Sequence, residues 1–398
     1  MFKPARRQNI PCCIIMFFYW ASNAIFFAYI SAFLLDRGYS AFEVGIVSTI
    51  LYLVSTLLGP VSGYITDSIL PPKRYIPTAM AVAIPFVLII PQLAENLFVM
   101  ILCIIAVAFC QNLLFGVIDS WIVKLKEIHP EINYPIARSA GSIGYSVIAA
   151  ATGYIAGFLG YNVIFPMNIL CCIVVALCAL KMEPVPCSNR SRGSEEKIGF
   201  LPALKILVTN FQFVAYLLSM LCIYIGTRFT LIFHPKLIEY VGGTSADLGV
   251  SIFLSAIFEV PVMVFAIRNY RRFDPRKLAF IGLLIGASKP VILYFATSVP
   301  VFWAAQATQA ISIGMFLPLT VSYLRKIVPK QIYATALMLN GAVTNGLSGI
   351  FASFFGGMLL DISRELFLIV AICFSAAAVI IYGLSLLKKY DNTGWYDA

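Results

Sequence analysis

Residues 183–197, EPVPCSNRSRGSEEK, are a polar run between two long apolar stretches, and the count on either side of them decides the fold. Before them, apolar segments fall at roughly 10–34, 44–66, 75–93, 97–121, 137–159 and 162–181. After them come six more, at roughly 208–233, 246–267, 277–298, 300–324, 333–358 and 366–387. Each is long enough to cross about 30 Å of hydrocarbon at about 1.5 Å per residue. The expectation is an all-α integral membrane protein with twelve transmembrane helices in two six-helix halves. The halves are 1–182 and 205–398, with a cytoplasmic linker at 183–204.

Composition supports that solvent. Of 398 residues, 61 % are hydrophobic and only 12 % charged, more apolar surface than a soluble domain can hide. The ten cysteines lie mostly in apolar runs, as at Cys12, Cys103, Cys171 and Cys373, and read as small hydrophobes. The apolar stretch after MFKPARRQN lacks a cleavage pattern and reads as the first span. A net charge of +10 is not a nucleic-acid signature here, because the basic residues cluster between spans. With the N-terminus inside, Lys3, Arg6, Arg7, Lys73, Arg74, Lys124 and Lys126 face the cytoplasm. So do Arg190, Arg192, Lys197, the group RNYRRFDPRK at 268–277, Arg325, Lys326, Lys330, Lys388 and Lys389. The opposite face keeps Arg37, Lys236 and Arg364. This asymmetry predicts a multi-pass cell-membrane protein with both termini cytoplasmic.

Five charges remain at membrane depth: Asp119, Arg138, Arg228, Glu259 and Lys289. Each costs several kcal/mol in hydrocarbon unless it faces an aqueous cavity or a partner, so a polar cavity between helices is expected. Each also has a plainer reading. Asp119 lies close to Lys124 and Lys126, Arg138 can snorkel, and Arg228 can reach the outer interface. Glu259 and Lys289 can form a structural ion pair. As a carboxylate in a partly dry site, Glu259 is the candidate to carry a proton. Asp119 beside Arg138 suits hydrogen bonding to hydroxyls. Tyr145 follows Arg138 by two helical turns on the same face, giving an aromatic platform for a hydroxylated ring. The small residues of YPIARSAGSIGYS, 134–146, let a neighbouring helix approach closely. Asn112, Gln306 and Gln309 are further candidates for a substrate-binding lining; Asn23, Asn340 and Asn345 can line a cavity or bond across helices.

This arrangement resembles the major facilitator superfamily, and within it the lactose permease, phenylpropionate transporter and nucleoside–proton symporter group, over essentially the whole chain. GYITDSILPPKR, 63–74, is similar to the superfamily's loop motif between the second and third helices, which implies gating roles for Gly63 and Asp67. Its Pro71–Pro72 pair replaces the usual glycine turn. VIDSWI with YPIARSAGSIGYS resembles the sugar-binding pattern of the group, which implies substrate contacts at Asp119, Arg138 and Tyr145. FEVP, 258–261, resembles the group's eighth-helix signature, implying a substrate and coupling role for Glu259; Lys289 resembles a basic position kept in the ninth helix. The tenth helix departs from the pattern. AAQATQAISIGMFLPLTV, 304–321, offers Gln306 and Gln309 where lactose permease carries a histidine and a glutamate.

The function expected is secondary active transport, proton-coupled symport of a sugar or nucleoside by alternating access. The alternative is proton-coupled efflux of amphipathic compounds. A sensor or scaffold is disfavoured because no signalling domain is appended. No phosphate loop, metal-ligand cluster or nucleophile–base constellation is evident, so neither an enzyme nor a cofactor or metal is expected. The partners implied are a small-molecule substrate, protons and membrane lipids, with no nucleic acid. A monomer suffices, with oligomeric state left open.

Overall fold

The computed structural model describes residues 5–93, 96–185, 200–269 and 274–387. Lys3, Arg190, Arg192, Lys197, Arg271, Arg272, Lys388 and Lys389 lie outside the described residues, as does most of the expected linker. Twelve described helices are long and apolar enough to cross a membrane. They are α1 Asn9–Asp36, α2 Ala41–Thr66, α3 Pro72–Leu93, α4 Leu97–Ile128, α5 Tyr134–Leu159 and α6 Tyr161–Lys181. The rest are α7 Phe211–Ile232, α8 Ser245–Ala266, α9 Arg276–Tyr294, α10 Val299–Ile327, α11 Lys330–Ile362 and α12 Arg364–Leu387.

The starts of these helices are written in the sequence. Asn96, Asn133, Asn210 and Asp274 each accept a hydrogen bond from a first-turn amide, at 3.2, 3.2, 3.0 and 3.0 Å, satisfying one of the donors a helix start leaves open. Ser40 with Glu43, and Thr244 with Asp247, form reciprocal capping boxes before α2 and α8.

Three irregularities depart from the expected spans. First, α4 runs on to Ile128 instead of ending near 121, so Lys124 and Lys126 belong to the helix and not to a loop. Its last turns stay helical because Trp121, Ile122 and Leu125 are buried on one face while the charges point outward. Second, α8 is interrupted: one segment ends at Ile257 and another begins at Glu259. Pro261 explains the break, since it has no N–H for the Ile257 carbonyl and its ring crowds that oxygen. Third, α4 and α11 each contain a π-helical turn, Ala108–Asn112 and Ala342–Leu347.

The chain forms two compact units. The first comprises the described residues of Met1–Tyr39, Ile50–Ser191 and Gly243–Phe253; the second those of Ser40–Thr49, Arg192–Gly242 and Leu254–Ala398. Each half therefore lends one helix end to the other half's unit. Within the first unit, Tyr29 Oη donates to the Ala149 carbonyl at 2.7 Å, and Gly153 of α5 packs directly on Ser245 and Gly249 of α8. Within the second, the Asp361 carboxylate accepts from the amides of Ala41 and Phe42, each at 2.9 Å, capping the start of α2.

In lipid, helices gain little from apolar burial alone, so close packing and buried hydrogen bonds hold them. In the first unit Gln111 and Asn168 exchange amide bonds at 3.0 and 3.2 Å, and Asn168 also donates to the Ser22 carbonyl at 3.0 Å, tying α1, α4 and α6. Trp121, Tyr19 and Ile118 fill its core. In the second, Ser219 donates to the Ala378 carbonyl at 2.8 Å, joining α7 to α12 beside a core of Phe213, Tyr216 and Leu283.

Candidate functional site

In the first unit two of the expected residues, Arg138 and Tyr145, meet around one side chain that sequence reasoning did not single out. Trp20, on α1, lies under the Arg138 guanidinium, 4.6 Å from it to the ring centre, and Phe115 holds the same cation at 5.6 Å. Tyr145 packs edge-on against the same indole at 6.1 Å. Arg138 and Tyr145 thus share a face as the spacing predicts, with Trp20 bridging them. The close approach of α1 and α5 makes this possible. A side chain at Gly141 would collide with the Trp20 ring, and one at Gly144 with the Phe17 carbonyl. The small residues after Arg138 are therefore the room the indole occupies.

Asp119 and Arg138 lie within electrostatic reach of each other but are not directly bonded. The described residues contain no ion pair between the two; Asp119 instead accepts a hydrogen bond from Tyr134 Oη at 3.1 Å. Tyr134 begins α5 one turn before Arg138, so it reaches Asp119 first, while the arginine turns toward the aromatic rings. Among the described residues Arg138 donates no hydrogen bond. Its five donors are held by a cation–π contact but not spent. The buried indole N–H of Trp20 likewise has no partner among the described residues. Both side chains can donate to acceptors that the described residues do not supply. Asn112 is engaged elsewhere: in the π-helical turn of α4, its amide donates to Ser55 Oγ at 2.7 Å.

The second unit holds a different cluster. Lys289 of α9 is 1 % exposed, and its ammonium donates to Gln309 Oε1 on α10. Gln306, one turn before Gln309, is buried with both amide atoms lacking a partner among the described residues. Two turns before Gln309, Phe302 carries the His234 ring at 5.1 Å. His234, between α7 and α8, is buried, and desolvation together with the nearby Lys289 charge pushes its pKa well below the usual imidazole range. Arg228 donates to Asn345 at 3.0 Å, an interhelical bond from α7 to the π-helical turn of α11. Glu259 heads the second segment of α8, half-buried; α10 approaches it so closely at Gly314 that any side chain there would strike the Glu259 carbonyl. Tyr224 lies within electrostatic reach of both Glu259 and Arg228.

The two gating candidates fare differently. Gly63 borders open space, so packing does not require a glycine there. The side chain of Asp67 lies outside the described residues. Outside the spans, His129 contacts Glu183 at 2.6 Å, and this hydrogen bond holds the imidazole pKa above its ordinary value. No group of histidines, cysteines and acids suited to a metal occurs among the described residues.

The profile of the MFS_1 like family matches residues 11–370. The maltose permease of Geobacillus stearothermophilus is 25 % identical, aligned over 98 % of this chain and 96 % of its own length. A putative sugar efflux transporter of Deinococcus radiodurans is 25 % identical over 64 % of this chain and 65 % of its own. The solved nucleoside transporter NupG is similar with a TM-score of 0.80 at 14 % identity, covering 97 % of this chain and 99 % of that one. A D-xylose–proton symporter gives a TM-score of 0.70 at 14 % identity, covering 94 % and 96 %. At such identities the structural likeness speaks for the fold alone.

Proposed function

The chain belongs to the MFS_1 like family of the major facilitator superfamily, membrane transporters and not enzymes, and from that premise we propose that it is a proton-coupled symporter of a sugar or nucleoside. The observation that carries this reading is Arg138, stacked on Trp20 with its donors unspent. A guanidinium so held offers planar, directional hydrogen bonds to vicinal hydroxyls. Trp20 and Tyr145 offer aromatic faces to ring C–H groups, and Asp119 accepts from a further hydroxyl once Tyr134 yields it. A relative named as a maltose permease agrees with a polyhydroxylated substrate.

Glu259 carries the coupling proton in this proposal, with Asp119 as the second candidate. Its place at the head of a helical segment, beside a break, lets small motions of that segment change its surroundings. Gln306, whose amide finds no partner among the described residues, binds substrate hydroxyls, with Lys289 and Gln309 completing that lining. Asn112 contributes through α4. Gly63 and Asp67 belong to the gate. The protein works in the cell membrane as a monomer, with both termini cytoplasmic, by alternating access.

The test is uptake into proteoliposomes with and without an inside-alkaline gradient, using labelled sugars, nucleosides and aromatic acids, with Arg138→Ala in parallel. Gradient-stimulated uptake of a sugar or nucleoside, lost in Arg138→Ala, is the expected result. Gradient-driven extrusion of amphipathic compounds, with no uptake of any polar solute, overturns it in favour of export.

A further inference from the structure

Beyond the substrate-related clusters, the second unit has a crevice of about 570 Å³ between α8, α9 and α10. Its wall is apolar: Val262 and Phe265 from α8, Ile281 and Ile285 from α9, Ile311 and Met315 from α10. One end is not apolar, for Asp274 and Lys277 line it where α9 begins. From Lys277 to Ile285 the crevice follows α9 for about 12 Å at ~1.5 Å per residue, close to the depth of one leaflet of a ~30 Å hydrocarbon core.

The charges at that end are unbalanced. Asp274 is committed to Arg276: it accepts from the Arg276 amide at 3.0 Å and from its guanidinium at 3.1 Å. Burial raises the Asp274 pKa, but those bonds and the Arg276 and Lys326 charges outweigh it, so the carboxyl ends below its usual range. Lys277, Arg268 and Lys326 are exposed and form no ion pair among the described residues, although the Lys326 charge acts on Asp274. The sequence around them, RNYRRFDPRK at 268–277, has one acid against five bases.

We propose that this crevice is a binding site for an anionic phospholipid, one acyl chain lying between α8, α9 and α10 and the headgroup phosphate held by Lys277 with Arg268 and Lys326. A volume of this size is typical of a small-molecule pocket, and a basic mouth over an apolar groove between membrane helices matches an anionic lipid in both its parts. The lipid does more than cover the surface. Val262 and Phe265 belong to the second segment of α8, the one Glu259 heads, so an occupied crevice braces that segment against α9 and α10. Lipid composition thereby acts on the proposed coupling carboxylate through the helix that carries it.

The decisive experiment reads lipid retention and not transport, so it stands or falls apart from the symporter reading. The full-length protein is equilibrated with equal amounts of phosphatidylglycerol and phosphatidylcholine, and retained lipids are counted by native mass spectrometry. Phosphatidylglycerol is expected to be retained several-fold over phosphatidylcholine. Replacing two of the three exposed bases, Lys277→Ser with Arg268→Ser, is expected to bring the ratio close to parity. Ile281→Trp, which fills the crevice from an exposed position, is expected to remove one bound lipid. Equal retention of both lipids by the wild-type protein, or a preference that survives the serine variant, overturns the proposal. Should the serine variant not fold, retention by the wild type and by Ile281→Trp decides: a preference unchanged by filling the crevice also overturns it.

Discussion

In the first unit Arg138 keeps its guanidinium half-buried on Trp20 and spends none of its donors on described residues, whereas in the second Lys289 is buried to 1 % exposure and spends its ammonium on Gln309. The contrast follows from the two cations. A guanidinium is planar and weakly hydrated, and an aromatic face gives it about 0.5–2 kcal/mol without consuming its N–H groups. An ammonium is a compact, strongly hydrated charge that must have an acceptor once water leaves. One cation therefore keeps its donors unspent among the described residues while the other spends its own on Gln309, and the two clusters should respond to substitution in different ways.

The largest expected effect separates binding from energy coupling. Glu259→Gln should abolish gradient-driven accumulation, leaving only equilibration, while counterflow of the same solute persists. Accumulation at wild-type levels in that variant would transfer the proton role to Asp119. Next comes recognition in the first unit: Arg138→Ala should weaken substrate binding about tenfold to a hundredfold, the loss of a charged hydrogen bond worth ~1.5–3 kcal/mol. Arg138→Lys should recover little of it, because an ammonium cannot lie flat on Trp20 and still present two parallel donors. Titration calorimetry in detergent distinguishes the three proteins.

The second unit should show its difference in stability. Gln309→Leu leaves a buried ammonium without its acceptor and is expected to cost about 1.5–3 kcal/mol. Lys289→Met removes the charge together with the demand, and should unfold within about 1.5 kcal/mol of wild type or above it. Thermal unfolding of the two variants in the reverse order would mean that Lys289 is paired far better than its single bond to Gln309 suggests.

The smallest effect is expected at His129. Its raised pKa means that the Glu183 contact adds stability fully present below about pH 6.5, the unfolded value, and lost as pH climbs through the folded one. His129→Gln should therefore narrow its gap to wild type as the pH of a melting series is raised.

The twelve spans were legible because lipid imposes both their length and their apolar character. The end of α4 was not: Lys124 and Lys126 look like loop charges until the helix buries Trp121, Ile122 and Leu125 beneath them. FEVP contained the signal for the break at Phe258, in the missing donor of Pro261, but it reads more readily as a motif than as a discontinuity. At the candidate site, Arg138 and Tyr145 announced themselves through charge and spacing. Trp20 did not, since one aromatic in an apolar first helix looks like any other. Its only trace was indirect, in the Gly141 that makes room for it. That Tyr134 and not Arg138 bonds Asp119 directly was also hidden, because a one-turn offset decides which of two donors on the same helix arrives first.

The π-helical turn Ala108–Asn112 gives α4 a spare residue. A π turn absorbs one extra amino acid in a bulge while the helix on either side keeps its phase. Losing one residue there, Cys110 for instance, should return the turn to α-helical pitch with Asp119 still facing as before. Losing one in the regular stretch that follows, Gly116 for instance, should swing everything beyond it by about 100°, the angle between successive residues at 3.6 per turn. The helix that presents Asp119 thus contains one place where length is negotiable, bordered by a stretch where it is not, and the history of insertions and deletions in this family should be written unevenly along it.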